Sequence, residues 1–163
     1  MEFETEKTVT EKQYLNMIRL KTAVLLGFSL ELGAILADAS EAECVALREF
    51  GTNIGIGFQL KDDLLDAYGD PRKFGKQVGG DIIANKKTFL LITALEKAKG
   101  KQKRELDDWL SAKKYHKQAK VKAVRSLYDS LGIPLLAEKK KDKLYKKGFN
   151  NLSALTCNEN SKK

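Results

Sequence analysis

The segment 58–70, FQLKDDLLDAYGD, carries three aspartates, Asp62, Asp63 and Asp66, on the edge of an apolar run. On an α-helix, residues four apart lie about 40° from each other, so Asp62 and Asp66 project side by side, one turn apart. Gln59 shares their face one turn earlier, and Asp63 sits about 100° around the helix from Asp62. Like charges at this spacing cost a bare helix about 0.2–0.5 kcal/mol, so something cationic should compensate them. Two carboxylates with room for water suit Mg²⁺, a hard ion that keeps much of its hydration and bridges to phosphate oxygens. Acid pairs on helices are usually solvated surface, and the surroundings decide between the two readings. After the acids come a glycine-rich loop with Lys76, then Asp81, then Lys86 and Lys87. Acids, loop and lysines together suit a metal–diphosphate clamp, with the lysines neutralising the charge that the metal leaves.

Such a clamp needs long helices to carry it. Positions 10–37 show helical spacing through Tyr14, Met17, Ile18, Lys21, Leu25, Phe28, Leu32 and Ile35,. Within them TAVLLGFSLELGAILA contains Glu31, is too short to span a bilayer comfortably, and reads as a buried core helix,. Ser40 and Glu43 match a capping box that opens a second long helix, running to about Tyr68,. Gly51, Gly55 and Gly57 lie inside that helix, where each costs about 1 kcal/mol unless helices pack closely or a ligand approaches the backbone. Residues 69–81 read as a loop. NKKTFLLITALEKAKG returns to helix and ends on Gly100, RELDDWLSA is a short helix, and another runs from about Gln118 to Leu131, where Gly132 stops it,. Pro134 suits the first turn of the last helix, and residues 156–163 are expected to be a disordered tail. No strand pattern or internal repeat is found, so the expected fold class is all-α.

The chain has 163 residues, 42% of them hydrophobic and 32% charged, which fits one helical domain,. The formal net charge of +8 is concentrated late in the chain, as in KQKR at 101–104 and EKKKDKLYKK at 138–147. No aromatic residues interleave with these lysines and no zinc or helix-turn-helix signal occurs, so a solvated basic face is expected and nucleic acid is not. Cys44 and Cys157 are isolated and support neither a disulfide framework nor a zinc site, which together with the absence of an apolar leader points to the cytoplasm,. His116, the only histidine, lies among lysines and is expected at the surface.

The block FQLKDDLLDAYGDPRKFGKQVGGDIIANKKT closely resembles the second aspartate-rich region of the trans-isoprenyl diphosphate synthases, the farnesyl and geranylgeranyl diphosphate synthase group of polyprenyl synthetases. Phe-Gln, Asp-Asp-x-x-Asp, Gly-Asp, Gly-Lys, Asp-Ile and Asn-Lys are all filled. Upstream, Lys21 and Thr22 match the family's Lys-Thr motif. The resemblance implies an isoprenoid synthase-type helical bundle with a deep cavity. It implies that Asp62, Asp63 and Asp66 form a Mg²⁺ site. It also implies that Lys21, Thr22, Gln59, Lys76 and Lys86 contact the allylic diphosphate, and that Asp81 holds a metal-bound water or a lysine. The implied activity is condensation of an allylic diphosphate with isopentenyl diphosphate, with no covalent catalytic residue. The family's first aspartate-rich motif is absent from this sequence. Residues 1–155 therefore resemble the C-terminal portion of the family's domain, with the N-terminal part missing. A weak or inactive chain is expected. A homodimer and a complementing N-terminal half are the two protein partners this allows. The alternative is a non-catalytic subunit that binds diphosphate and Mg²⁺ or docks with a complete synthase.

Overall fold

The computed structural model describes residues 8–70, 72 and 78–155, and among them there are helices and turns but no strand. Helix α1, Glu11–Ile18, runs through a π-helical segment, Arg19–Ala23, into α2, Val24–Leu36. Helix α3 is Glu41–Tyr68, α4 Gly80–Ile83, α5 Phe89–Lys97, α6 Gly100–Ser111, α7 Lys117–Ser130 and α8 Ile133–Asn151, followed by a 3-10 turn, Leu152–Ala154. Lys76 and the tail expected at 156–163 lie outside the described residues, as does Cys157. None of the described helices is long and apolar enough to cross a membrane.

The helix boundaries follow from their caps. Ser40 Oγ accepts from Glu43 N–H at 3.4 Å while Glu43 Oε2 accepts from Ser40 N–H at 3.0 Å, the reciprocal box expected from the sequence,. A second box opens α1: Gln13 Oε1 accepts from Thr10 N–H at 2.9 Å, and Thr10 Oγ1 from Gln13 N–H at 3.3 Å. Thr88 Oγ1 caps α5 by accepting from Leu91 N–H. Gly132 ends α7 with a φ of 67°, a left-handed conformation glycine adopts without cost,. Gly100 does not close α5 as expected. That helix ends at Ala98, whose backbone turns extended, and Gly100 is the first residue of α6.

The chain divides into two compact units, one joining Met1–Tyr14 to Leu60–Lys139, the other joining Leu15–Gln59 to Lys140–Lys163. In the first, α7 is the hub, touching α4, α5 and α6. Its core includes Leu60, Leu90, Leu106, Val124, Leu127 and Ile133. Val124, Leu127 and Tyr128 form the buried apolar face of α7. His116 is exposed, as expected.

In the second unit the glycines set the packing. A Cβ on Gly55 would fall 2.8 Å from Ala23 Cα, and one on Gly51 would fall 2.9 Å from Gly27 Cα. Backbones therefore meet along a stripe of small residues, as the mid-helix glycines suggested. This closeness overturns the reading of α2 as a core helix. Its buried residues are Gly27 and Ala34, whereas Leu25, Phe28 and Ile35 are 68%, 54% and 55% exposed. Alpha-helix periodicity marks an apolar stripe; in a segment apolar on two faces it does not say which face the core takes.

Candidate acidic site

The acid cluster belongs to the first unit and is built by the last two turns of α3 and the turn α4–Lys86. Asp62 is exposed, Asp66 half-buried and Asp63 buried, at 7% exposure. This is the order that 100° per residue imposes when Leu60, Leu64 and Ala67 face the core,. Asp63 Oδ2 accepts from the Tyr14 hydroxyl and, at 3.2 Å, from Phe89 N–H, so it ties α1 and the start of α5 to α3. Burial pushes its pKa up to about 6; the two hydrogen bonds oppose that shift, and the Asp81 charge adds to it,. Burial, and then the charge and hydrogen bond of Asp63, hold the Tyr14 phenol far above its ordinary value, so it remains a donor.

Asp66 Oδ2 accepts from Asp81 N–H at 2.9 Å, and its backbone carbonyl accepts from Gly79 N–H. Gly79 adopts φ 87°, and a Cβ there would meet Val121 at 2.7 Å, so glycine is required at this bend. Burial raises the Asp66 pKa, and the neighbouring Asp81 and Asp62 charges add to the shift. Lys86 Nζ lies 3.0 Å from both carboxylate oxygens of Asp81. Burial alone would lower the Lys86 pKa, but Asp81, Asp63 and Asp66 together raise it. Three carboxylates, Asp63, Asp66 and Asp81, thus share one neighbourhood with the Lys86 ammonium, and Asp62 stands beside Asp66.

Of the expected site residues, the structure brings Asp62, Asp63, Asp66, Asp81 and Lys86 together in this unit. Lys21 and Thr22 belong to the second unit, where they occupy the π-helical segment, exposed and half-buried respectively. Single-turn π-bulges recur at functional sites because the extra residue re-aims side chains. Gln59, half-buried, is the last α3 residue of that second unit. Among the described residues no group of three or more His, Cys, Asp or Glu side chains could hold a metal ion. Of the two acids that sequence reading pairs for Mg²⁺, Asp62 is exposed and Asp66 is half-buried, with one oxygen accepting from Asp81 N–H.

Sequence reasoning missed Tyr14, Thr88 and Lys120. Tyr14 appeared only as one member of an apolar stripe, and nothing local marks its pairing with Asp63 across 49 positions. Thr88 carried a readable signal, a threonine directly before an apolar helix.

The polyprenyl synthetase family model matches residues 1–128. Over 131 residues the chain is 41% identical to the short chain isoprenyl diphosphate synthase of Methanocaldococcus jannaschii, covering 80% of this chain and 40% of that protein. Over 95 residues it is 46% identical to the farnesyl diphosphate synthase of Bacillus subtilis, covering 58% of this chain and 32% of that one. Among solved structures, a geranylgeranyl pyrophosphate synthase superposes with a TM-score of 0.89 at 37% identity, over 99% of this chain and 50% of its own. The geranylgeranyl pyrophosphate synthetase of Pyrococcus horikoshii gives 0.85 at 32% identity, over 97% and 47%. The chain spans half or less of the length of each. The likeness covers the aspartate-rich helix and nearly all of the all-α fold around it, and the chain belongs to the polyprenyl synthetase family.

Proposed function

We propose that the chain forms one wall of an (E)-prenyltransferase site, which condenses an allylic diphosphate with isopentenyl diphosphate in isoprenoid biosynthesis. The observation that carries this reading is the gathering of Asp63, Asp66 and Asp81 around Lys86, with Asp62 one turn before Asp66 on the same helix, in a chain of this family. Asp62 and Asp66 are the pair proposed to hold Mg²⁺. Asp63, already accepting two hydrogen bonds, supports them by fixing the helix on which they stand. When bound, Mg²⁺ supplies stabilisation of the negative charge that develops on the leaving diphosphate. Lys86 adds a point charge beside the same oxygens, and Lys21, Thr22, Gln59 and Lys76 are proposed to bind the allylic diphosphate. The allylic carbon–oxygen bond breaks with its electron pair leaving on diphosphate. The double bond of isopentenyl diphosphate then attacks the allylic cation, and loss of a proton completes the condensation. Apolar walls keep water from the cation, and no covalent nucleophile takes part.

One acidic wall is not a complete site. The exposed Leu25, Phe28 and Ile35 of α2 support the view that further polypeptide covers this chain in the working enzyme, either a second copy or a complementing N-terminal half,. Alone, the chain is proposed to be weakly active or inactive. The same exposed face favours a second reading, a non-catalytic subunit that docks with a complete synthase and retains only diphosphate and Mg²⁺ binding.

Calorimetry with a bisphosphonate, with and without Mg²⁺, tests the binding site. Asp62→Ala should abolish the Mg²⁺-dependent part while leaving the helical circular dichroism unchanged; binding indifferent to both Mg²⁺ and Asp62 refutes the site. Turnover of geranyl diphosphate with labelled isopentenyl diphosphate, alone and with a polypeptide carrying the first aspartate-rich motif, separates the two readings. Robust product from the chain alone would refute the proposed inactivity.

A further inference from the structure

Lys120 is the largest wholly buried side chain in the described structure, at 0% exposure. Lysine is almost never fully buried without a specific partner, and methionine or leucine would fill the same volume at lower cost. Its contacts show what the amine adds. Nζ donates to Asn85 Oδ1 and, at 3.4 Å, to the carbonyl of Ile83, and it sits 4.4 Å from the centre of the Tyr115 ring. Tyr115 donates its hydroxyl to the same Ile83 carbonyl at 3.0 Å. That carbonyl is at the C-terminal end of α4, where helix carbonyls lack partners and attract donors.

Asn85 stands in the left-handed region with φ 52°, a conformation that asparagine tolerates better than most residues,. Its side chain is held from both ends, Oδ1 by Lys120 and Nδ2 by donation to Leu110 O at 2.9 Å. The next residue is Lys86. Its N–H donates to Asp81 O at 2.9 Å, and its ammonium reaches both Asp81 carboxylate oxygens. Asp81 N–H in turn donates to Asp66.

We infer that Lys120 is a positioning residue for Lys86: from inside the core it locks the Asn85 turn that carries the Lys86 ammonium onto Asp81 and the acid cluster. It touches no substrate. Its role is to hold a mobile four-carbon side chain at one place, so that diphosphate meets a charge already set beside the carboxylates. The inference rests on the diphosphate-binding reading of the cluster for its functional consequence, but not for the positioning itself.

Two measurements separate these. The first needs no ligand: nitrogen-resolved NMR of the full chain, following hydrogen exchange of the Lys86 amide and the side-chain signals of Lys86. K120M should speed exchange of that amide by about tenfold or more and move the Lys86 side-chain signals towards free lysine, while amides in the middle of α7 keep their protection. Because K120M could unfold the chain, N85G provides the second cut. It keeps the left-handed backbone, deletes the Oδ1 acceptor together with the Nδ2 bond to Leu110 O, and should produce the same Lys86 changes. Unchanged Lys86 signals in N85G, or in a folded K120M, overturn the inference. The second measurement is calorimetry of pyrophosphate with Mg²⁺. K86Q should weaken binding by about tenfold, the loss of one charge-assisted hydrogen bond. N85G should weaken it comparably, and N85G combined with K86Q should be no weaker than K86Q alone. Additive losses overturn the route through Lys86. No pyrophosphate binding by the wild type overturns the functional reading, and the exchange result then still decides the positioning.

Discussion

Replacing Asp63 by asparagine should stabilise the metal-free protein at neutral pH. Both donors to this carboxylate, the Tyr14 hydroxyl and Phe89 N–H, meet the same oxygen, Oδ2. An asparagine with its amide oxygen in that place keeps both bonds and removes a buried charge. The magnitude follows from proton affinity, since the group titrates at 3.8 ordinarily and at about 6 here. At 1.36 kcal/mol per tenfold in proton affinity, its ionisation costs the fold about 3 kcal/mol at pH 7. Between pH 4 and 6 the folded state binds more protons at this residue than the unfolded state, so the wild type loses this increment as pH rises through that window and is flat above it. Urea unfolding of wild type and D63N in a chelator, at pH 4, 5, 6 and 7, reads the difference directly. The asparagine variant should gain up to about 3 kcal/mol at pH 7 and little at pH 4. By contrast, Asp63→Ala strands two buried donors at about 1–3 kcal/mol each, so it should fall below D63N at every pH. A D63N protein that is less stable at pH 7, or whose gain does not change with pH, would refute the account of Asp63 as a strained, buried carboxylate.

Gly55→Ala should lower the urea midpoint: overpacking against Ala23 costs about 1–3 kcal/mol, against about 1 kcal/mol of helix propensity gained,. Gly33→Ala, where a Cβ meets nothing within 4 Å, should raise the midpoint, worth about 0.5–1 kcal/mol,. The same sign for both would disprove the close approach between backbones. Ser40→Ala should cost about 1 kcal/mol by removing the Oγ acceptor of the capping box, and Glu43→Ala on top of it should add less than it does alone, since the two bonds are reciprocal,. Chemical denaturation of the double-mutant cycle checks this.

The helices were legible where the signal is local. The Ser40–Glu43 box and the Gly132 stop depend on residues within one or two turns, and they are found as read. Burial was not legible for α2, because both of its faces are apolar and the choice between them was made by glycines in another helix. The candidate site divides in the same way. Side-by-side projection of Asp62 and Asp66 is a property of the helix alone. The pairing of Asp63 with Tyr14, and of Lys120 with Asn85, depends on chain segments 35 or more residues away, and no local pattern encodes them.

The three aspartates also show how one acidic motif divides its work. A helix rotates 100° per residue, so a face that points Leu60, Leu64 and Ala67 inward must bury Asp63 with them,. Burying that carboxylate requires donors, and the fold supplies a phenol that burial keeps protonated together with an amide that α5 leaves over at its first turn,. One turn around, Asp66 gives one oxygen to Asp81 N–H and sits half in water, and Asp62 faces solvent. The residue that costs stability is thus the one that fixes the helix, and the two that remain on the open face are those with the freedom to meet a cation. With all three outward, α3 would lose its ties to Tyr14 and Phe89, and Leu60, Leu64 and Ala67 alone would hold this face; with all three inward, no carboxylate would remain on the open side.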